Sequence, residues 1–321
     1  MILTLAGGVG AARMLAGLMQ VVPQDQLIAV VNVGDDLELH GLRISPDLDT
    51  ITYTLAGAIN PETGWGLVDE TWQARAMLEQ YGGVSWFGLG DRDLGTHLYR
   101  TQRLSEGADL ATVTAEITRA WSLDVRLLPV TCDALRTRVT LAADDPVSPG
   151  SAGLPAGSEI SFQEYFVQRH HGVPVSAIRF EGAQDTVPSP GVLEAIATAD
   201  TIVIAPSNPL VSIDPVLAVP GVRDAIIARR DDVVAVSPII AGAALKGPAD
   251  RLMRELGHEP SVVGVARIHR EIAGTLVIDE ADAASSAEVE AEGMRCVVAP
   301  TIMSTPERAA ALARIVIGAH R

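Results

Sequence analysis

Short apolar runs separated by stretches with helical spacing set the rhythm of this chain. Ile2–Leu5 is the first run; Met14, Leu15, Leu18 and Met19 then recur at helical spacing, and the almost wholly apolar "LIAVVNV" (Leu27–Val33) follows. A run with so little polar alternation fits a strand buried on both faces, so the segment reads as one strand–helix–strand unit with a right-handed crossover. Further runs at Val84–Gly90, Val125–Val130, Thr201–Pro206, Val233–Pro238 and Cys296–Pro300 read as strands. Helical patterns at Glu70–Gln80, Leu110–Trp121, Val192–Ala199, Gly221–Arg229, Ala249–Leu256 and Glu307–Ile317 separate most of them. This alternation predicts an α/β fold, a Rossmann-like, mostly parallel sheet with helices on both faces.

Between Asp133 and Arg179 the rhythm changes. "RTRVTL" reads as an exposed strand, "DDPVSPGSAGLPAG" as a flexible loop, and "EISFQEYFVQRHHG" as a strand passing into an amphipathic helix. The expected organisation is a core domain of residues 1–132 and 180–321 with a smaller inserted α+β lobe at 133–179.

Composition narrows the function classes. The 321 residues are 48% hydrophobic but only 4% aromatic, enough to bury a large core and better suited to aliphatic strands and alanine-rich helices than to an all-β sandwich. A formal charge of −16 argues against nucleic acid or an anionic membrane as partner. Cys132 and Cys296 fit no metal-ligand spacing and read as reduced, buried thiols. The start lacks a basic leader, and no run approaches the roughly 20 apolar residues of a membrane span, so a cytoplasmic protein is expected.

In an open α/β sheet ligands gather beyond the carboxyl ends of the strands, and there the candidate chemistry lies. The "GGVGAAR" loop can turn backbone N–H groups toward a phosphate, with the following helix adding its dipole. Arg13 stands where a dinucleotide fingerprint needs glycine, and the Gly-Lys-Ser/Thr of a P-loop is absent. After the second run come Asp35, Asp36, Glu38, Asp47 and Asp49. One carboxylate would suffice to hold a ribose in an NAD-type dehydrogenase, whereas a cluster repels itself unless solvent or a hard cation such as Mg²⁺ relieves it. Asx-turns and helix caps in a solvated loop remain the plain alternative. "APSNP" offers Ser207 and Asn208 on a turn, and Lys246, the sole lysine of the chain, sits in a Gly/Pro-rich loop that suits a phosphate contact. The seven histidines show no metal spacing; His97 falls on an expected helix after "GDRD".

Taken together, "LAGGVGAARMLAG", "VVNVGDDLELHGLRISPDLDTITYTLAG", "WFGLGDRDLGTHLYRT", "APSNPLVSIDPVLAVPG" and "SPIIAGAALKGPAD" strongly resemble the 2-phospho-L-lactate transferase family of deazaflavin coenzyme F-420 biosynthesis, in order from about residue 2 to about residue 315. The resemblance implies a Mg²⁺-dependent enzyme, commonly a homodimer, that moves a phospho-three-carbon acid (2-phospholactate or phosphoenolpyruvate) from a guanosine diphosphate ester to the deazaflavin alcohol Fo and releases GMP. By motif position it implies Asp35 and Asp49 as metal ligands and catalytic carboxylates, with Asp36 and Asp47 beside them. Gly8, Val9 and Gly10 would face the diphosphate, Ser207 and Asn208 the guanosine, and Lys246 a phosphate. Asp91, Asp93 and His97 would help form the Fo pocket, while Trp86 and Phe87 read as core. Arg13 in place of the lysine of archaeal relatives points to a bacterial type. An NAD-type dehydrogenase and a non-catalytic nucleotide or deazaflavin carrier are the competing readings.

Overall fold

The computed structural model describes residues 1–146 and 153–319. Its centre is a seven-stranded, wholly parallel sheet built from β1 (Ile2–Ala6), β2 (Leu27–Val31), β3 (Arg126–Pro129), β4 (Thr201–Ile204), β5 (Val233–Val236), β6 (Thr275–Asp279) and β7 (Arg295–Ala299), in the order β7-β6-β5-β4-β1-β2-β3. β1, β2, β4, β5 and β6 are buried along their whole length, as the continuous apolar runs of the first four predict. The chain steps outward from β1 to β2 and β3, then returns to lay β4 on the other side of β1. Ile2 thus pairs with both Leu27 and Thr201, and the crevice beyond β1 and β4 is the switch point where such sheets bind ligands.

Helices cover both faces, and the first, Gly8–Leu18, packs so closely on the last, Pro306–Gly318, that a Cβ on Gly17 would lie 2.5 Å from the Ala309 carbonyl oxygen. The inserted lobe is a separate antiparallel sheet of Arg136–Leu141 flanked by Glu159–Ser161 and Val175–Glu181. Its "RTRVTL" strand is half-buried rather than exposed, because Thr137, Val139 and Leu141 turn inward, and Val139 and Leu141 join the main core. The expected helix after "EIS" is a short π-helical stretch, Glu164–Gln168, stopped by left-handed backbone at His170 and His171. Residues 147–152 of the expected flexible loop lie outside the described residues; next to them Asp145 and Leu154 bridge.

Three features depart from the pattern reading. Val84–Gly90 forms no strand: Trp86 packs edge-on against Phe87, glycines interrupt the run, and the segment stays half-exposed. β6 was not predicted, since its apolar centre is short and runs straight into the acidic "DEADAASS". Helices Pro46–Leu55 and Val262–His269 were likewise unread. The first has Asp47 and Asp49 in its opening turn, favourable for the dipole there, but its threonine-rich sequence carries little helical signal. Both cysteines are free and half-buried.

Candidate active site

Beyond the ends of β1, β2 and β4 lies a cavity of about 420 Å³. Its floor begins at the glycine loop. Gly8 adopts a φ of +72°, and its N–H donates to Asp47 Oδ1 at 2.8 Å. A Cβ on Gly10 would fall 2.2 Å from the Pro206 carbonyl oxygen, so glycine here lets β1's loop lie against the "APSNP" turn. The two loops are stitched by Ser207 Oγ donating to the Gly7 carbonyl at 2.7 Å, and Asn208 caps the next turn by accepting from the Leu210 N–H at 3.0 Å.

The acidic wall is held from three directions. Asn32 donates to Asp47 Oδ2 at 3.0 Å and accepts from the Gly34 N–H at 2.8 Å. From the lobe, the Thr137 N–H reaches the Gly34 carbonyl at 2.7 Å, and Gln163 Nε2 reaches the Asp35 carbonyl at 3.1 Å. A side chain on Gly34 would collide with Thr137 Oγ1 at 2.6 Å, so the glycine of "GDD" lets the lobe dock. Asp35 is 7% exposed and lines the cavity, yet its Oδ1 has no hydrogen-bond partner.

The opposite side comes from helix Asp93–Ser105. Asp93, His97 and Arg100, at i, i+4 and i+7, form its buried face. Arg100 clamps Asp49 with both terminal nitrogens, one of them at 3.1 Å. His97 Nδ1 stands 3.7 Å from Asp49 Oδ2, and Nε2 stands 3.2 Å from Asp93 Oδ2. That second approach lies off the hydrogen-bond line, so Nε2 keeps no aligned acceptor. Tyr53, one turn after Asp49, donates to Asp93 Oδ1 at 2.7 Å. Glu70 caps the helix, accepting from the Arg92 and Asp93 N–H groups at 2.8 Å, and it reaches them because residue 90 is glycine: a Cβ there would sit 2.1 Å from the Glu70 carboxyl carbon.

Burial and the neighbouring Asp47 push the Asp35 carboxyl well above its usual range. Burial lifts Asp47 to about 6 although Asn32 and the Gly8 N–H oppose it, and lifts Asp36 to about 7 against the Ser45 hydroxyl that binds it. Asp93 behaves oppositely. Burial raises it, but the contacts with His97, Tyr53 and Arg100 outweigh burial and leave it below the usual carboxylate range. One wall therefore resists a second negative charge, and the other already holds the Arg100 guanidinium as counter-charge.

Of the residues singled out by sequence, Gly8, Val9, Gly10, Asp35, Asp49, Asp93, His97, Ser207, Asn208 and Lys246 all line this one cavity. Asp91 does not. It accepts from the Gln73 and Ala74 N–H groups, each at 3.0 Å, and so caps helix Gln73–Gln80. Asp36 sits behind the wall, bound by Ser45 Oγ at 2.7 Å. Phe87, expected in the core, is half-buried and lines the cavity. Sequence reading also missed Tyr53, Arg100, Phe162, Gln163 and Phe166. Tyr53 and Arg100 carry a signal, the i, i+4 and i, i+7 spacings from Asp49 and Asp93, once their segments are known to be helical. The lobe residues carry none.

Comparison with known proteins decides the family. The profile described as 2-phospho-L-lactate transferase CofD matches residues 2–303. The chain belongs to the CofD family. It is 45% identical to a phosphoenolpyruvate transferase of Kitasatospora aureofaciens, covering 98% of this chain and 95% of the relative, and 44% identical to one of Streptomyces griseus, covering 98% and 96%. The CofD chain is therefore a phosphotransferase enzyme, and the family removes the dehydrogenase reading that Asp35 had left open. A Bacillus halodurans structure superposes with a TM-score of 0.64 over 98% of both chains at 16% identity, a likeness of fold. Among the described residues no helix is long and apolar enough to cross a membrane.

Proposed function

We propose that this CofD-family enzyme transfers a phosphorylated three-carbon acid, phosphoenolpyruvate or 2-phospholactate, from a guanosine diphosphate ester to the terminal hydroxyl of the deazaflavin Fo, releasing GMP. The observation that carries the reading is Asp35, a buried carboxylate that lines the same cavity as the glycine loop and Lys246 and whose Oδ1 has no hydrogen-bond partner. Among the described residues no group of three or more His, Cys, Asp or Glu side chains is arranged to hold a metal. The hard carboxylate oxygens of Asp35 and Asp49 on one cavity instead fit Mg²⁺, which takes one or two carboxylates and completes its shell with water and substrate phosphates.

In this reading Asp35 and Asp49 hold the Mg²⁺, whose charge would offset that of the diphosphate. The Gly8–Gly10 loop and Lys246 orient the diphosphate, with Ser207 and Asn208 beside the guanosine. Phe87, Phe162 and Phe166 offer flat apolar surface for the deazaflavin, next to Asp93 and His97. The Fo oxygen attacks the phosphorus that bears the three-carbon acid, the bond from that phosphorus to the GMP oxygen breaks, and GMP leaves with the electron pair. The hydroxyl proton goes to Asp35 or Asp49, and a loose phosphoryl-transfer transition state asks little of that base. Alignment and charge placement supply most of the acceleration. The reading includes a cytoplasmic homodimer, supported by the family resemblance and open to light scattering.

The test mixes purified protein, Mg²⁺ and Fo separately with lactyl, phosphoenolpyruvyl and glyceryl guanosine diphosphate donors and reads the products by mass spectrometry. Coupled deazaflavin and GMP from one mixture are expected. Fo that binds without product from any donor would replace transfer by binding alone.

A further inference from the structure

Helix Asp93–Ser105 turns charge inward and apolar groups outward: its buried residues are Asp93, His97 and Arg100, while Leu98 and Tyr99 are 57% and 43% exposed. Arg100 is the largest fully buried side chain described, at 2% exposure. Putting a guanidinium there is costly in solvation, and a well-packed apolar pair in place of a buried ion pair is often as stable or more so. Stability alone is therefore a poor reason for this arrangement.

Arg100 does not line the cavity, but its partner Asp49 does, as do His97 and Asp93. We propose that Arg100 is a positioning residue. By holding both oxygens of Asp49, while one of its nitrogens stands 3.4 Å from His97 Nδ1, it fixes which edge of the Asp49 carboxylate meets the cavity and so sets the affinity of the site for a divalent cation. An ionised carboxylate has about four acceptor positions, so two donated to Arg100 leave others for a cation. The planar fork defines an orientation that a point charge would not. The carbonyl of Arg43, 3.4 Å from the same nitrogen, ties this anchor to the hairpin leading into Asp47 and Asp49, while Arg100 Nε has no partner. The guanidinium is thus aligned on the carboxylate at the expense of its own third donor group.

This inference rests on the proposed cation site at Asp35 and Asp49. The test compares wild type, Arg100→Lys and Arg100→Met by thermal melting without metal, by Mn²⁺ binding in the presence of GDP read from the electron paramagnetic resonance of free Mn²⁺, and by turnover against Mg²⁺ concentration. Arg100→Lys keeps the charge and loses the fork; it is expected to fold, to bind Mn²⁺ about 10–100-fold more weakly, and to regain most of its turnover at saturating Mg²⁺. If Arg100→Met fails to fold, Arg100→Lys carries the result alone. A folded Arg100→Lys with wild-type Mn²⁺ affinity would make Arg100 a structural partner only. Wild-type protein that binds no Mn²⁺ with GDP present would overturn the cation site itself, and the positioning role with it.

Discussion

Helices Asp93–Ser105 and Leu110–Ala120 follow one another in the chain, obey the same helical period, and bury opposite chemistry. The second buries Leu110, Val113 and Ile117 with two threonines, and its first turn is capped by Asp109 accepting from the Thr112 N–H at 2.7 Å. The first buries an aspartate, a histidine and an arginine. Period tells where a face lies, and only its neighbours tell what that face must be. Leu110–Ala120 lies on β3, where apolar area is what burial rewards, whereas Asp93–Ser105 faces a carboxylate wall that needs counter-charge.

The sharpest break of this contrast is Arg100→Met. Stranding Asp49 without its partner is expected to cost about 3–5 kcal/mol of folding stability, measured by denaturant unfolding. Adding Asp49→Asn should recover part of that loss; strict additivity in the double variant would dissolve the pair as a unit.

Asp35→Asn carries the next effect, on chemistry instead of folding. It should lower turnover on the order of 10²–10³-fold without lowering the melting temperature, because the amide removes a carboxylate charge that burial and Asp47 disfavour. Wild-type turnover in a folded Asp35→Asn would end its role as ligand.

In the ordinary helix, Ile117→Ala should cost about 2–5 kcal/mol by opening a cavity, with turnover per folded molecule unchanged. Reduced turnover there would mean that the two helices are not functionally separate. Its cap variant, Asp109→Ala, should cost only about 1 kcal/mol in the same unfolding measurement.

Two buried histidines sharpen the comparison by pH. His97 has a carboxylate near each ring nitrogen, whereas among the described residues no hydrogen-bond partner meets His269 Nδ1. Burial, with Arg223 adding to it, pushes His269 from 6.5 down to about 4. The unfolded chain then binds the proton more readily than the folded one, so this residue's contribution to stability is full above about 6.5 and is lost as pH falls toward 4. Unfolding free energies of wild type and His269→Gln across that window should diverge, with the variant losing less; parallel curves would mean that His269 titrates normally in the fold.

The parallel sheet was readable because β1, β2, β4 and β5 are continuous apolar runs separated by helical stretches, a pattern that local chemistry alone imposes. β6 escaped because its apolar centre is short, and Val84–Gly90 misled because aromatic residues and glycine imitate a strand when the packing that would recruit one is unknown. The strand-end motifs also pointed to most residues that line the cavity, since a switch-point crevice collects whatever follows β1, β2 and β4.

Sequence by itself determined the fold class, the glycine loop and the excess of acid at the end of the second strand, all of them properties of neighbouring residues. Tertiary structure decided how that acid is used: Asp47 is tied to Asn32 and Gly8, Asp49 to Arg100, Asp36 by one oxygen to Ser45, while Asp35 lines the cavity and has an oxygen with no partner. It also assigned Asp91 to a helix cap and brought Gln163 across from the lobe to the Asp35 carbonyl. A carboxylate's role depends on which donors reach it and how much water remains around it. Those donors lie up to 51 positions away in the chain, so no local pattern could have shown them.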